Sequence, residues 1–139
     1  MRSVLTRFFS ESAHPEVLVA YLFGSHGRGT AHAQSDVDVA ILLDRQLLPT
    51  QPGRAAYAEA LTSSLIDATH CNNVDVIVLN DAPHELAVAA IDAGAPLSAT
   101  KAGAEETVHA FVRDAQLRLA DLRPFLNRTR RLKLEAVVR

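Results

Sequence analysis

Three aspartates of this 139-residue chain have types and spacing that could support metal-assisted chemistry. Asp36 and Asp38 lie two positions apart, so in a strand both carboxylates project from the same face. Two like charges at the mouth of an apolar strand are costly unless a cation lies between them. Mg²⁺ suits that position because it takes carboxylate oxygens and keeps positions open for substrate phosphates. Asp75 is predicted at the matching position near the start of a later strand.

The three carboxylates together predict a two-metal site for phosphoryl transfer. Such a site stabilises both the attacking and the leaving oxygen of an in-line displacement. A lone aspartate at a strand edge is more often a plain polar residue, but three of them, two at i and i+2, favour a functional site. We therefore predict Asp36, Asp38 and Asp75 as metal ligands and catalytic residues.

A Gly-Ser pair supplies donors for the phosphates that this chemistry needs. Gly24 ends an apolar run, where a glycine lets the backbone approach a ligand closely. The backbone N–H groups that open the following helix, together with the Ser25 hydroxyl, form a predicted anion site. Arg28 lies one turn further and could reach a phosphate or hold the loop, so we include it among the candidate nucleotide-binding residues.

The same segment does not match two other phosphate-binding motifs. Residues 24–30, GSHGRGT, approach the P-loop pattern but lack the lysine that reaches the phosphates in that motif. The glycines at 24, 27 and 29 have the wrong spacing for a dinucleotide-binding fingerprint. Neither a P-loop enzyme nor a dinucleotide-binding domain is therefore expected.

Strand and helix patterns that alternate along the chain must position these residues. Apolar runs predict strands at Glu16–Phe23, Ser35–Leu43 and Val74–Leu79. Helical spacing predicts helices over residues 2–13, 55–68, 84–92 and 104–126, with a short extended piece near Leu97. Two prolines and a glycine predict a loop over Gln46–Arg54. The fold class expected is α/β (α+β), with helices covering a small sheet.

Length and composition predict one domain, residues 1–139, with a core at about 16–100 and a helical segment at about 104–139. The chain is 48% hydrophobic and 22% charged, which is typical of a globular domain and excludes a disordered chain. The single cysteine, Cys71, excludes an internal disulfide. Arg7 and Glu11 interrupt the N-terminal pattern that a signal peptide needs, and no apolar run approaches the roughly 18 residues of a membrane span. We expect a soluble cytoplasmic protein.

The net charge of −2 hides an uneven distribution of charge along the chain. Residues 55–100 contain six acidic side chains and no Lys or Arg, whereas basic residues cluster near the end at Arg128, Arg130, Arg131 and Lys133. This pattern argues against a uniformly basic nucleic-acid binder. The basic tail is either a solvated helix end or a contact surface for an acidic partner or RNA.

The segment FGSHGRGTAHAQSDVDVAILL at residues 23–43 resembles the signature of the DNA-polymerase-β-type nucleotidyltransferase superfamily. That signature is a Gly-Ser pair, about ten residues, an Asp-x-Asp pair and a third carboxylate on a later strand. By its length the chain resembles the minimal, MNT-type members, which are often the antitoxin half of bacterial HEPN–MNT toxin–antitoxin pairs. The resemblance covers about residues 16–126. It implies a minimal nucleotidyltransferase fold, with a small mixed sheet flanked by helices and a long C-terminal helix.

The resemblance also implies a reaction and a partner. The co-substrate would be ATP with Mg²⁺, and AMP would be transferred to a hydroxyl, typically a tyrosine, of a partner HEPN ribonuclease. Asp36 and Asp38 would ligate the metal, and Asp75 would assist the acceptor hydroxyl. Gly24 and Ser25 would hold the triphosphate.

Two other functions stay open at this point. A stoichiometric antitoxin would block a toxin by binding alone, and the basic tail favours this alternative. Transfer to a small molecule such as an aminoglycoside usually needs a further substrate-binding domain, for which so short a chain lacks residues. The small size therefore favours an acceptor carried on another protein, in a homo- or hetero-oligomer.

Overall fold

Helices lie on both faces of a four-stranded sheet in the computed structural model, which describes residues 2–11, 14–23, 37–93, 95–97 and 101–118. The elements are, in chain order, α1 (Arg2–Glu11), β1 (Val17–Phe23), β2 (Val37–Leu43), α2 (Gln51–Thr69), β3 (Val74–Val78), a 3-10 turn (Leu79–Asp81), α3 (His84–Ala93), β4 (Ala95–Pro96) and α4 (105–118). The three predicted strands and the extended piece before Leu97 are confirmed to within two residues of their expected ends.

The sheet is mixed, as the resemblance implies. Its strand order is β3-β2-β1-β4, with β2 parallel to β3 and β1 antiparallel to both β2 and β4. Beyond β4 the chain continues beside β1, since the Leu97 N–H donates to the Ala20 carbonyl at 2.9 Å. The C-terminal end of β1 and the N-terminal ends of β2 and β3 therefore lie side by side at one end of the sheet.

The alternation of side chains along β2 produces two apolar faces. Val37, Val39 and Ile41 are fully buried in one cluster with Leu5 of α1 and Leu65 of α2. A second cluster lies on the opposite face, where α3 and α4 cover the sheet, and contains Ala40, Leu42, Ala87, Ala90 and Val108. Asp38 shares this second face by the alternation rule, and it is the one polar residue of β2.

The predicted loop over Gln46–Arg54 is wrong for its last four residues, which begin α2. The Thr50 side chain caps the helix and accepts a hydrogen bond from the Gly53 N–H at 3.1 Å. Pro52 lies in the first turn, where a backbone N–H would have no intrahelical partner, so a proline there favours a helix start. The helix ends as expected, at His70, whose left-handed backbone has a φ of 55°.

Two side chains stabilise the opposite end of the sheet, where β2 and β3 have their C-terminal ends. The Asn80 amide bonds both backbone groups of Leu43, at 2.9 Å each, and so takes the place of a neighbouring strand. Arg54 makes a two-point ion pair with Asp81, with N–O distances of 2.9 and 3.0 Å, and also donates to the Leu48 carbonyl. These bonds attach α2 to the turn after β3.

The long C-terminal helix is confirmed over residues 105–118, where its buried positions include Val108 and Ala115. The remainder of its predicted range and the basic cluster lie outside the described residues. Among the helices that the structure describes, each is too short or too polar to cross a lipid bilayer.

Candidate active site

Asp38 and Asp75 are brought side by side by the parallel pairing of β2 and β3. They are direct register partners, flanked by the pairs Val37–Val74 and Val39–Val76. Residues paired in this way project from the same face of the sheet, with strands about 4.8 Å apart. Asp38 is half-buried and Asp75 is exposed, so the pair lies at the boundary between the core and solvent.

The remaining predicted site residues lie outside the described part of the chain. These are Gly24, Ser25, Arg28 and Asp36. Their neighbours in the chain are informative, because Gly24 follows Phe23 and Asp36 precedes Val37. Phe23 is the register partner of Asp38 on the other side of β2. The ends of three strands that carry or adjoin predicted site residues therefore meet at one sheet edge.

The paired carboxylates fit a divalent cation in donor chemistry and in access. Both are hard oxygen ligands of the kind that Mg²⁺ takes, and the exposed side of Asp75 leaves room for water and phosphate oxygens. Without a cation, like charges directly opposite each other on paired strands repel. Among residues 2–11, 14–23, 37–93, 95–97 and 101–118, no three His, Cys, Asp or Glu side chains form a metal-binding group. The third metal ligand predicted from the sequence is Asp36, the residue immediately before β2.

A groove lies on the same sheet face as Asp38, between β1, α3 and α4. It has a volume of about 400 Å³, and its lining includes Tyr21, Ile91, Val112, Arg113 and Gln116. Burial raises the pKa of the Tyr21 hydroxyl above its usual value of 10.0. The sequence pattern places Tyr21 in a buried strand and predicts no other role for it. The polar residues of α4 look from the sequence like the solvent-exposed face of that helix.

A second cavity, of about 450 Å³, lies at the other end of β2 and is separate from the carboxylate pair. Leu42, Leu43, Asp44 and Lys101 are among its lining residues. Asp44 is six residues beyond Asp38, or about 20 Å along an extended strand, so it cannot share a metal with the pair. The Lys101 ammonium donates to the Pro15 carbonyl at 2.7 Å, which fixes the loop over this cavity.

Comparison with protein-family models finds a match over residues 5–102 to the family described as polymerase beta, nucleotidyltransferase. This range contains both described aspartates and the whole predicted Gly-Ser and Asp-x-Asp segment. No curated protein matches the sequence.

Comparison with solved structures finds subunits of toxin–antitoxin complexes. One, from a toxin–antitoxin complex with AMP-PNP, is 22% identical with a TM-score of 0.64, and the match covers 92% of this chain and 97% of that one. Another belongs to a MntA–HpeT toxin–antitoxin complex with two aspartate-to-glutamate substitutions, at 19% identity and a TM-score of 0.63, covering 93% and 98%. A third is from a complex of tri-AMPylated Shewanella oneidensis HEPN toxin with MNT antitoxin, at 19% identity, a TM-score of 0.60 and coverage of 93% and 98%. These similarities establish a common fold.

Proposed function

The chain belongs to the polymerase beta nucleotidyltransferase family, and we propose that it is a cytoplasmic Mg²⁺-dependent adenylyltransferase that acts as an antitoxin. It transfers AMP from ATP to a hydroxyl, typically that of a tyrosine, on a partner HEPN ribonuclease. The observation that carries the proposal is the direct pairing of Asp38 with Asp75. This pair lies at the end of the sheet that adjoins both the Gly-Ser motif and the Asp-x-Asp motif. The shared fold with subunits of an AMP-PNP complex and of an AMPylated HEPN complex supports this choice of nucleotide and partner.

The three aspartates share one role in the proposed reaction, and Asp75 has a second. Asp36, Asp38 and Asp75 would hold Mg²⁺, which would neutralise the charge that develops on the phosphate oxygens. Asp75 is exposed, so it can reach an incoming hydroxyl and accept its proton. The hydroxyl oxygen forms a bond to the α-phosphorus while the bond to the oxygen bridging the α- and β-phosphates breaks. Pyrophosphate leaves with that oxygen.

The strand order supports a donor and an acceptor on opposite sides of Asp38. β1 leads into Gly24 and Ser25, the proposed triphosphate-binding residues, whereas Asp75 lies on β3. Since β2 separates β1 from β3, the ATP approaches from the β1 side and the acceptor hydroxyl from the β3 side. A protein acceptor needs only to present one side chain at the exposed β3 edge.

A labelling experiment with the product of the neighbouring gene, the proposed HEPN partner, tests the proposal. The two purified proteins are incubated with Mg²⁺ and ATP labelled at the α-phosphorus, and with ATP labelled at the γ-phosphorus in parallel. The α-label should enter the partner and the γ-label should not. The Asp36→Asn/Asp38→Asn variant should transfer nothing, whereas Asp44→Asn, a matched change one residue beyond the far end of β2, should transfer normally.

Two outcomes would overturn the proposal or its antitoxin role. Failure of the wild type to label the partner, or equal labelling by the Asp36→Asn/Asp38→Asn variant, would refute nucleotide transfer by this site. Full protection of cells from the toxin by that same inactive variant would instead support a stoichiometric antitoxin that acts by binding alone.

A further inference from the structure

β3, the strand that carries Asp75, is the last strand on one side of the sheet. It pairs with β2, and no strand among the residues that the structure describes pairs with its other side, which we call the open side of β3. The unpaired backbone N–H and C=O groups of such a strand are a template on which another extended segment can add. The strand that carries the proposed proton acceptor is therefore also the strand that can pair with a further segment.

The pairing with β2 determines which residues of β3 face the open side with their backbone groups. The Val37 N–H donates to the Asn73 carbonyl at 2.8 Å, in the parallel register that pairs Val37 with Val74. Backbone groups alternate in direction along a strand, so Asn73, Asp75 and Ile77 direct theirs towards β2. The backbone groups of the alternate residues point to the open side, and these residues are Val74, Val76 and Val78.

A segment added at the open side would hold a hydroxyl beside Asp75. Because Val74 and Val76 would make the hydrogen bonds of an antiparallel pairing, the residue opposite Asp75 would belong to a non-hydrogen-bonded pair, with about 4.5 Å between Cα atoms. A serine or threonine there would bring its hydroxyl next to the carboxylate. Residues diagonally opposite, about 7–8 Å away, are still within reach of an aromatic side chain, so a tyrosine two positions along would also reach Asp75.

The opposite face of β3 offers apolar contacts to the same segment. Val76 and Val78 are half-buried and pack against the apolar cluster that contains Leu65 of α2. Side chains alternate along a strand, so those of Val76 and Val78 lie on the face opposite to Asp75. Alternate side chains of an added strand would extend this cluster, which predicts apolar residues on both sides of the hydroxyl residue in the added segment.

The charge near β3 favours a segment of another protein over a second copy of this chain. Residues 55–100 contain six acidic side chains and no Lys or Arg. Two copies joined through their β3 strands would bring these acidic segments together, and like charges across paired strands repel. A neutral or basic segment would instead be complementary to this charge.

We propose that the segment of the partner protein that carries the acceptor hydroxyl pairs in extended conformation with the open side of β3, as a fifth strand of the sheet. Main-chain hydrogen bonds would supply the affinity, and the alternating side chains would supply the specificity. The segment expected is neutral or basic, with apolar residues on both sides of its hydroxyl residue. The inference rests on the proposed nucleotidyltransferase function and adds to it the way in which the acceptor is recognised.

Two substitutions at one residue separate backbone pairing from side-chain contact. Val76→Pro removes the N–H that points to the open side and no hydrogen bond to β2, and proline is tolerated in edge strands at such positions. It should lower kcat/KM for AMP transfer to the partner by at least about tenfold, because a carbonyl of the added segment loses its donor. Val76→Ala shortens the same side chain and keeps the N–H, so it should lower kcat/KM by no more than about threefold. The loss with Val76→Pro should appear in the KM for the partner, with the KM for ATP within about twofold of the wild type.

Hydrogen exchange measured by NMR tests the pairing without any substitution. The wild-type chain is compared alone and in its complex with the intact partner, Mg²⁺ and the α,β-methylene analogue of ATP, from which AMP cannot be transferred. The backbone N–H groups of Val76 and Val78 should exchange at least about tenfold more slowly in the complex, because they gain hydrogen bonds to the added segment. Those of Asp75 and Ile77 already bond to β2, so they should be protected in both states.

The possible failures are distinguishable from one another. If the wild type labels its partner while the N–H groups of Val76 and Val78 exchange equally fast in the free chain and in the complex, the acceptor is presented on a helix or loop, so the pairing is wrong and the proposed function stands. Equal losses of transfer for Val76→Pro and Val76→Ala, or none for either, would also contradict backbone pairing. If Val76→Pro does not fold, the exchange measurement decides alone. If the wild type labels no partner, the proposed function fails together with the pairing.

Discussion

Neutralising Asp75 should stabilise the metal-free protein while it abolishes AMP transfer. Asp75 and Asp38 are register partners on the same sheet face, so their negative charges repel whenever no cation separates them. Asp75→Asn removes one charge with almost no change in shape. The folded protein therefore becomes more stable, and the reaction loses a metal ligand and a proton acceptor.

The size of the effect follows from the separation and from the exposure of the pair. Two unit charges about 5 Å apart repel by about 0.8 kcal/mol in bulk water and by about 3 kcal/mol at an effective dielectric constant of 20. Asp75 is exposed, so the value in water is the better guide. We expect the free energy of unfolding to rise by about 0.5–1 kcal/mol, and Tm by about 2–4 °C.

Urea and thermal unfolding with and without Mg²⁺ measure both halves of this prediction. For the wild type, Mg²⁺ at ten times its Kd should add about 1.4 kcal/mol of stability, and Asp75→Asn should lose most of that gain. Glu59→Gln, a matched neutralisation on the exposed side of α2, should change neither value by more than about 0.5 kcal/mol. A less stable Asp75→Asn protein in EDTA, or an unchanged gain from Mg²⁺, would refute the reasoning about the pair.

Three further predictions concern the scaffold. Leu65→Ala, at a fully buried position of α2, should lower the free energy of unfolding measured in urea by about 2–5 kcal/mol. Leu117→Ala, at a side chain 60% exposed, should lower it by less than about 0.5 kcal/mol. Equal losses for the two variants would contradict the burial of Leu65 in the core. Thr50→Ala should cost about 1 kcal/mol by removing the α2 cap, and no loss would show that the cap is dispensable. Burial lowers the pKa of His14 below 6.5, with the charge of Glu16 opposing that shift, and its Nε2 is buried without a partner in the described structure. The unfolded chain therefore gains the proton first, so stability should fall as the pH drops through 6.5, and His14→Gln should flatten that part of the profile.

The positions of the strands and a common face for the aspartates were predictable because both follow from local patterns. The alternation in β2 and β3 specifies a face for each side chain, and an aspartate near the start of each strand predicts that their carboxylates lie close together. The direct pairing of Asp38 with Asp75 depends in addition on the register of β2 against β3, which the predicted strand starts did not specify.

The start of α2 and the groove beside Tyr21 were not predictable from local patterns. Pro52 and Gly53 suggest a loop until the Thr50 cap shows that they form a first helical turn. Tyr21 looks like any apolar strand residue, and only the packing of α4 against β1 brings it to a groove with Arg113 and Gln116. Such a contact joins residues about ninety positions apart, and no periodicity within one element encodes it.

Mass spectrometry of the HEPN partner after incubation with this protein, ATP and Mg²⁺ tests the central claim most directly. The account predicts AMP attached through a phosphoester to a hydroxyl side chain of the partner, with ribonuclease activity falling as the modified fraction rises. Both effects should be absent with the Asp36→Asn/Asp38→Asn variant. An unmodified partner that is nevertheless inhibited, or a modification that persists with that variant, would contradict the claim that these aspartates catalyse the transfer.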